Sequence, residues 1–229
     1  GWMEQMGLRP ASPIRSLREG TVAVRRLLDG EELTETGEYA SFDAVRLSRA
    51  PSEHIPIYHG VHGPRSLELA GEVADGTLLG WFSSPEYVTW ARERIDAGRA
   101  RAGRDDPHQL AALCILSVSD EDPKAAKAEL AGWASRELAG VSDSAWMQAT
   151  DAGHALAEAV AARSSEGEVL PDEVLDRFVA FGDLAACESM VGRLFDAGAD
   201  RVVLVPNPER VRSTEAMMEQ MRRAASVAV

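Results

Sequence analysis

The stretch His54-Ile-Pro-Ile-Tyr-His-Gly-Val-His-Gly-Pro-Arg-Ser-Leu-Glu-Leu-Ala-Gly-Glu-Val-Ala-Asp-Gly-Thr-Leu-Leu-Gly-Trp-Phe82 decides the fold. Residues 54–60 read as a short strand. Gly63-Pro64 then opens a helix that carries Leu67, Ala70 and Ala74 on one face, and Asp75-Gly76 is a turn. Thr77-Leu-Leu-Gly-Trp-Phe82 reads as a second strand, apolar throughout. The rhythm repeats downstream. Ser84-Pro85 starts a helix with Val88, Ala91, Ile95 and Ala102 inward, and Leu110–Val118 is a third apolar strand. Strands apolar on both faces, alternating with amphipathic helices, predict a parallel sheet covered by helices, joined by right-handed crossovers.

Upstream, Ser12-Pro13 is a hydroxyl N-cap followed by proline at the first helical position. Ile14, Leu17, Thr21, Val24 and Leu28 recur at helical spacing, and Asp29-Gly30 is the expected stop. Residues 31–47 predict two short strands around Gly37-Glu38, with Tyr39, Phe42, Val45 and Leu47 as apolar contacts. Downstream, Asp122-Pro123 caps a helix, and 119–182 shows no convincing strand, so 123–180 is read as a helical excursion. The rhythm returns with Leu184, Cys187, Val191, Leu194 and Phe195 on one helix face, ended by Gly198. Arg201–Val205 is a fourth strand, and Arg210–Ala225 a closing helix with Val211, Met218, Met221 and Ala225 inward. Met217, Met218 and Met221 read as core or helix-contact residues. The chain is expected to form one domain in four stretches: 1–50, 54–118, 119–182 and 183–229.

Composition narrows the functional classes. The 229 residues are 45% hydrophobic and 27% charged, an ordinary globular balance, and 24 basic against 37 acidic residues leave a net charge of −13. Such a surface repels phosphate backbones and anionic membranes, so neither nucleic acid nor membrane is an expected partner. No apolar run approaches the ~20 residues of a membrane span. Cys114 and Cys187 lie in apolar stretches, which argues against a disulfide framework and for a reducing, cytoplasmic setting. The first residues carry Glu4 and Arg9 where a signal peptide has its apolar core. The chain begins at Gly1, which fits a processed chain or a piece of a longer one.

Most catalytic signatures are absent: there is no P-loop, no G-x-G-x-x-G, no G-x-S-x-G, no H-x-x-x-H and no C-x-x-C. His54, His59 and His62 cluster within nine residues, yet His59 and His62 straddle a strand-to-loop junction instead of sharing a helix face, and no metal site is expected. The informative segment is Gly60-Val61-His62-Gly63-Pro64. It falls at the carboxyl end of a strand, where ligands bind in parallel α/β sheets. Its glycines admit a close approach of backbone to ligand, and the helix starting at Pro64 presents free N–H groups suited to a phosphate, with Arg65 beside them.

At this point the residues resemble a known family. Pro56–Gly76, above all its Ala-Gly-Glu-x-Ala-Asp-Gly portion, is similar to the fifth strand and helix of luciferase-like monooxygenases, in particular the branch that uses coenzyme F420 and includes methylenetetrahydromethanopterin reductase-like proteins. Ser12–Glu19 with Arg25–Gly30, Gly37-Glu-Tyr with Val45-Arg-Leu47, Gly98 with Ala102–Asp105, and Ala197–Pro206 agree in order with later and earlier parts of that family. The resemblance implies an α/β fold: the C-terminal half of a (β/α)8 TIM barrel, parallel strands five to eight, with the helical insertion that precedes the family's seventh helix. Strands one to four have no counterpart. Four strands cannot close such a barrel, so open edges and unpartnered inward faces at Leu78, Leu113, Ile115 and Val203 are expected, together with a homo-oligomer or a complementing N-terminal half as partner.

The resemblance further implies that Gly60, Val61, His62, Gly63 and Pro64 hold the phosphorylated ribityl arm of the cofactor, and that Leu79, Gly80, Trp81, Phe82 and Ser83 flank the same pocket. His59 and Trp81 are candidates for its wall, and no catalytic acid or base stands out. Three readings stay open: a coenzyme F420-dependent oxidoreductase acting on a small organic substrate, an FMN-dependent monooxygenase of the same fold, and a non-catalytic half-barrel or interaction module.

Overall fold

The computed structural model describes residues 10–207 and 214–227, together with Gln5 and Gly7. In chain order the elements are α1 (Pro13–Leu28), β1 (Leu33–Thr36), β2 (Ser41–Val45), β3 (Tyr58–Gly60), α2 (Pro64–Val73), β4 (Gly76–Leu78), α3 (Pro85–Ala102), β5 (Gln109–Val118), α4 (Pro123–Val141), a 3-10 turn at Met147–Ala149, α5 (Asp151–Ala161), α6 (Asp172–Leu175), β6 (Ala180–Gly182), α7 (Leu184–Asp196), β7 (Arg201–Pro206) and α8 (Thr214–Ser226). The predicted caps hold: the Ser12 hydroxyl accepts from Arg15 N–H, and the Asp122 carboxylate accepts from Ala125 N–H. The chain divides into two compact units, the first comprising residues up to His59 with Arg65–Thr77 and Arg94–His108, the second Gly60–Pro64, Leu78–Glu93 and Gln109 onward.

In the first unit the sequence motif Ala-Asp-Gly has a structural task. The Asp75 carboxylate accepts from Ile57 N–H at 2.6 Å, pairs with Arg25 and lies 3.2 Å from His54 Nε2. Arg25 also donates to Ile55 O at 3.0 Å, so one carboxylate and one guanidinium fix the run into β3. Gly76 leaves room for the Tyr58 ring at the same place, since a Cβ there would sit 2.4 Å from it. The β1–β2 hairpin is antiparallel, and its Gly37–Ala40 turn folds over the Glu19 carboxylate, which accepts from the N–H groups of Glu38, Tyr39 and Ala40. Those bonds, Tyr39's first, hold Glu19 below the usual carboxylate range.

His59 is buried with its Nε2 2.8 Å from Thr21 Oγ1. The Thr21 hydroxyl donates to Leu17 O at 2.7 Å, so towards the imidazole it can only accept, and His59 carries its proton on Nε2. Burial pushes His59 below the ordinary histidine value, and His62 likewise. The unfolded chain takes up these protons from about pH 6.5 downward while the folded chain refuses them, so stability falls with pH through that window. Urea midpoints are therefore expected to drop between pH 7.5 and pH 5. In His59→Gln, whose amide can still donate to Thr21 but does not titrate, the drop should shrink; an unchanged slope would exclude His59 as a source.

The second unit holds β5, β6 and β7. There β5 pairs in parallel with both β6 and β7. Leu113 lies opposite Val203, and Ile115 opposite Val205, while Leu116 to Val118 pair with Ala180 to Gly182. A large apolar cluster joins Ile115, Phe82 and Phe181 to the helical excursion through Leu130, Trp133, Leu138, Met147, Leu156 and Leu175. Cys114 and Cys187 are free and buried, and desolvation pushes both thiols up to about 12. Among the described residues no helix is long and apolar enough to cross a membrane, and no group of side chains is arranged to hold a metal.

The structure corrects several expectations. The strand read over 54–60 is limited to Tyr58–Gly60, and the one read over Thr77–Phe82 ends at Leu78. A strand absent from the sequence reading, β6, lies inside 119–182. On α1 the buried residues are Thr21 and Ala23, whereas Val24 is exposed; Ala102 on α3 is exposed too. In the hairpin Leu33 is the buried contact, while Val45 and Leu47 face solvent. Phe195, Met218, Met221 and Ala225 are exposed, and Ala224 and Val227 take the inner positions on and after α8. Val211 falls outside the described residues. Of the residues expected to be unpartnered, Leu78 and Val203 are exposed and Leu113 half-buried, but Ile115 is fully buried, because the helical excursion covers it.

Candidate functional site

Both sequence-predicted loops lie in the second unit, and they meet. Gly60–Pro64 leaves β3 at its carboxyl end and runs into α2. Gly60 offers open space, since a Cβ there would meet nothing within 4 Å. Residues 79–84 leave β4. Leu79 N–H donates to Ala111 O at 2.8 Å and its side chain is fully buried, so Leu79 anchors the loop. Ser83 is buried, and its hydroxyl donates to Gly80 O at 2.8 Å, closing the turn. Ser84 Oγ accepts from Tyr87 N–H at 3.1 Å and starts α3. Phe82 holds φ at +65° while buried, a left-handed conformation that a bulky residue keeps only where packing dictates it. Trp81, its neighbour, is 44% exposed.

The contact between the loops is His62 against Gly80. A Cβ on Gly80 would lie 2.3 Å from His62 Cε1, so glycine leaves room for the ring where it stands. The Gly80 contact is at the Cε1 edge of the imidazole, and its face stacks on Trp146, centroids 5.0 Å apart and planes at 27°. Tyr87 completes the arrangement: its hydroxyl donates to His62 O at 2.7 Å, and its ring meets Trp146 edge-on at 5.1 Å. Desolvation raises the Tyr87 phenol far above its ordinary range, so it stays a neutral donor. The second loop is held in a similar way. Trp133 on α4 lies 5.7 Å from Trp81, edge-on, and 5.6 Å from Phe82.

Gly60, Val61, His62, Gly63, Pro64, Leu79, Gly80, Trp81 and Ser83 thus form one neighbourhood, linked through the His62–Gly80 contact. His59, considered as a wall residue, is buried with its Nε2 against Thr21 Oγ1. Sequence reasoning missed Tyr87, Trp133 and Trp146. The available signal was the two tryptophans standing in an alanine-rich helical stretch, where a large aromatic ring has to be packed against something.

A parallel α/β sheet joined by helices defines the class of protein, a barrel-type α/β fold. Residues 2–201 match the family model for luciferase-like monooxygenases, and the chain belongs to that family. It is 30% identical over 219 residues to a 5,10-methylenetetrahydromethanopterin reductase of Methanolobus tindarius, a match that takes in 90% of this chain and 66% of the reductase. The solved F420-dependent secondary alcohol dehydrogenase in complex with an F420-acetone adduct superposes with a TM-score of 0.69 at 19% identity, covering 99% of this chain and 66% of that one. A riboflavin lyase with modified FMN and riboflavin gives 0.56 at 13%, covering 99% and 61%. The chain spans about two thirds of the length of these proteins. Its curated relatives place it in the branch whose members are named for coenzyme F420 or for methylenetetrahydromethanopterin reduction.

Proposed function

We propose that the chain serves a coenzyme F420-dependent oxidoreductase, in which hydride passes between the deazaflavin and a small organic substrate. The reductase match across 90% of this chain carries the reading. The residues fit the group. A Cβ on Gly60 would meet nothing within 4 Å, and among the described residues the buried Nδ1 of His62 has no hydrogen-bond partner. When bound, the deazaflavin supplies the hydride chemistry itself. The chain's part is binding and orientation. Gly60, Val61, His62, Gly63 and Pro64 would receive the phosphorylated arm, and Leu79, Gly80, Trp81 and Ser83 would shape its flank. The aromatic cluster behind both loops keeps water from that side.

A second reading is FMN as cofactor, favoured by the riboflavin lyase neighbour with modified FMN. The two cofactors share the phosphorylated ribityl arm. The partner reading is a second copy or a complementing segment, supported by the exposed Leu78 and Val203 on sheet strands.

Fluorescence titration with coenzyme F420 and, separately, FMN tests the reading. Saturable binding of the deazaflavin alone is expected. Binding of FMN alone would install the second reading, and binding of neither would make the chain a non-catalytic or interaction module. Sedimentation of the same samples should show a species larger than one chain, and a compact monomer would remove the partner reading.

A further inference from the structure

Three contacts converge on His62. On one side stands Gly80, with no side chain and no room for one. Against the ring face stands Trp146, which precedes the 3-10 turn of the helical excursion and lies in a quite different part of the sequence. From α3, Tyr87 grips the His62 carbonyl and backs Trp146 at the same time. The imidazole thereby touches both the loop after β4, at its Cε1 edge, and the helical excursion, at its face. Neutral rings stack without a desolvated charge to bury, and burial holds His62 below the ordinary histidine value.

We infer that His62 is a positioning residue, whose ring locks the Gly60–Pro64 loop to Gly80 and Trp146 in the form that receives the phosphorylated arm of the cofactor. The inference rests on the reading of that loop as the arm-binding segment. Its physical content is a population. A five-residue loop with two glycines has many conformations, and the affinity of a ligand falls by the fraction of time the loop spends outside the competent one. Because the lock joins the loop to the excursion, the two segments open together.

The test uses the full chain and four variants: His62→Ala, Gly80→Ala, the double variant His62→Ala/Gly80→Ala, and Trp146→Phe. Amide hydrogen exchange is read at residues 60–64 and 142–150, coenzyme F420 and FMN binding by fluorescence, and folding by circular dichroism. In His62→Ala, exchange should rise in both segments together and cofactor affinity should fall about tenfold. Gly80→Ala should match that loss, because its methyl evicts the ring. In the double variant the methyl meets no ring, so it should be no worse than His62→Ala alone, an outcome that general misfolding would not give. Trp146→Phe keeps a stacking face and should stay within about threefold of the parent. Unchanged exchange at 60–64 in His62→Ala overturns the lock whatever the cofactor does. Parental affinity in His62→Ala overturns the positioning role while leaving the site reading intact, and failure of the unaltered chain to bind either cofactor removes both.

Discussion

Gly98→Ala is expected to lower the melting temperature by roughly 6–12 °C, on the rule that about 1 kcal/mol shifts a chain of this size by ~2–4 °C and that the added methyl costs about 3 kcal/mol. Gly98 on α3 and Gly71 on α2 let the two helices meet backbone to backbone. A Cβ on Gly98 would fall 1.9 Å from Glu68 O, and one on Gly71 would fall 2.1 Å from Ile95 O and 3.0 Å from Arg99 N. No rotamer change relieves these clashes, because the atoms in the way are main chain. The helices must separate, which loosens the packing around Leu67, Ala70 and Ile95, all fully buried. Gly192→Ala on α7 is the control. Nothing lies within 4 Å of its Cβ, so the same chemical change should be neutral or stabilising by up to about 1 kcal/mol through helix propensity. Equal melting temperatures for the two variants would show that the α2–α3 crossing tolerates more separation than its geometry implies.

That pair of glycines also shows what the sequence could and could not say. The α/β rhythm was legible because it depends on local periodicity: Val88, Ala91 and Ile95 are buried at the spacing read, and β5 follows the apolar run from Leu110 to Val118. The N-caps at Ser12 and Asp122 were legible for the same reason. What failed were features fixed by partners far along the chain. β6 is three residues long and exists because Leu116–Val118 offer it an edge, which no pattern in Ala180-Phe-Gly182 announces. Leu79–Phe82 is as apolar as a strand, yet Phe82 is apolar because it packs under Trp133. The loops of the site were found through their glycines. That Gly80 serves His62, and that His62 serves Trp146, are contacts across long sequence separations and leave no spacing to read.

Trp133→Ala is the other change with a large expected effect, a loss of about 3–5 kcal/mol, the usual cost of removing a buried aromatic ring. Trp133 is 8% exposed and sits where the helical excursion meets the loop after β4, in one cluster with Leu130, Leu138, Met147, Leu156 and Phe82. Its loss does two separable things. It opens a cavity in the excursion's core, which lowers the urea midpoint. It also removes the surface that keeps Phe82 at φ +65° and braces the exposed Trp81, so the Leu79–Ser84 segment can relax to ordinary backbone angles. Trp133→Phe, which keeps an aromatic ring in place, should recover most of the stability, and exchange protection at 79–84 should return with it. If Trp133→Ala costs less than about 1 kcal/mol, the excursion does not depend on this contact. If it costs the full amount while exchange at 79–84 is unchanged, the strained loop is held by its own turn, through the Ser83–Gly80 hydrogen bond and the Leu79 bond to β5, and the aromatic packing is a consequence of that shape instead of its cause.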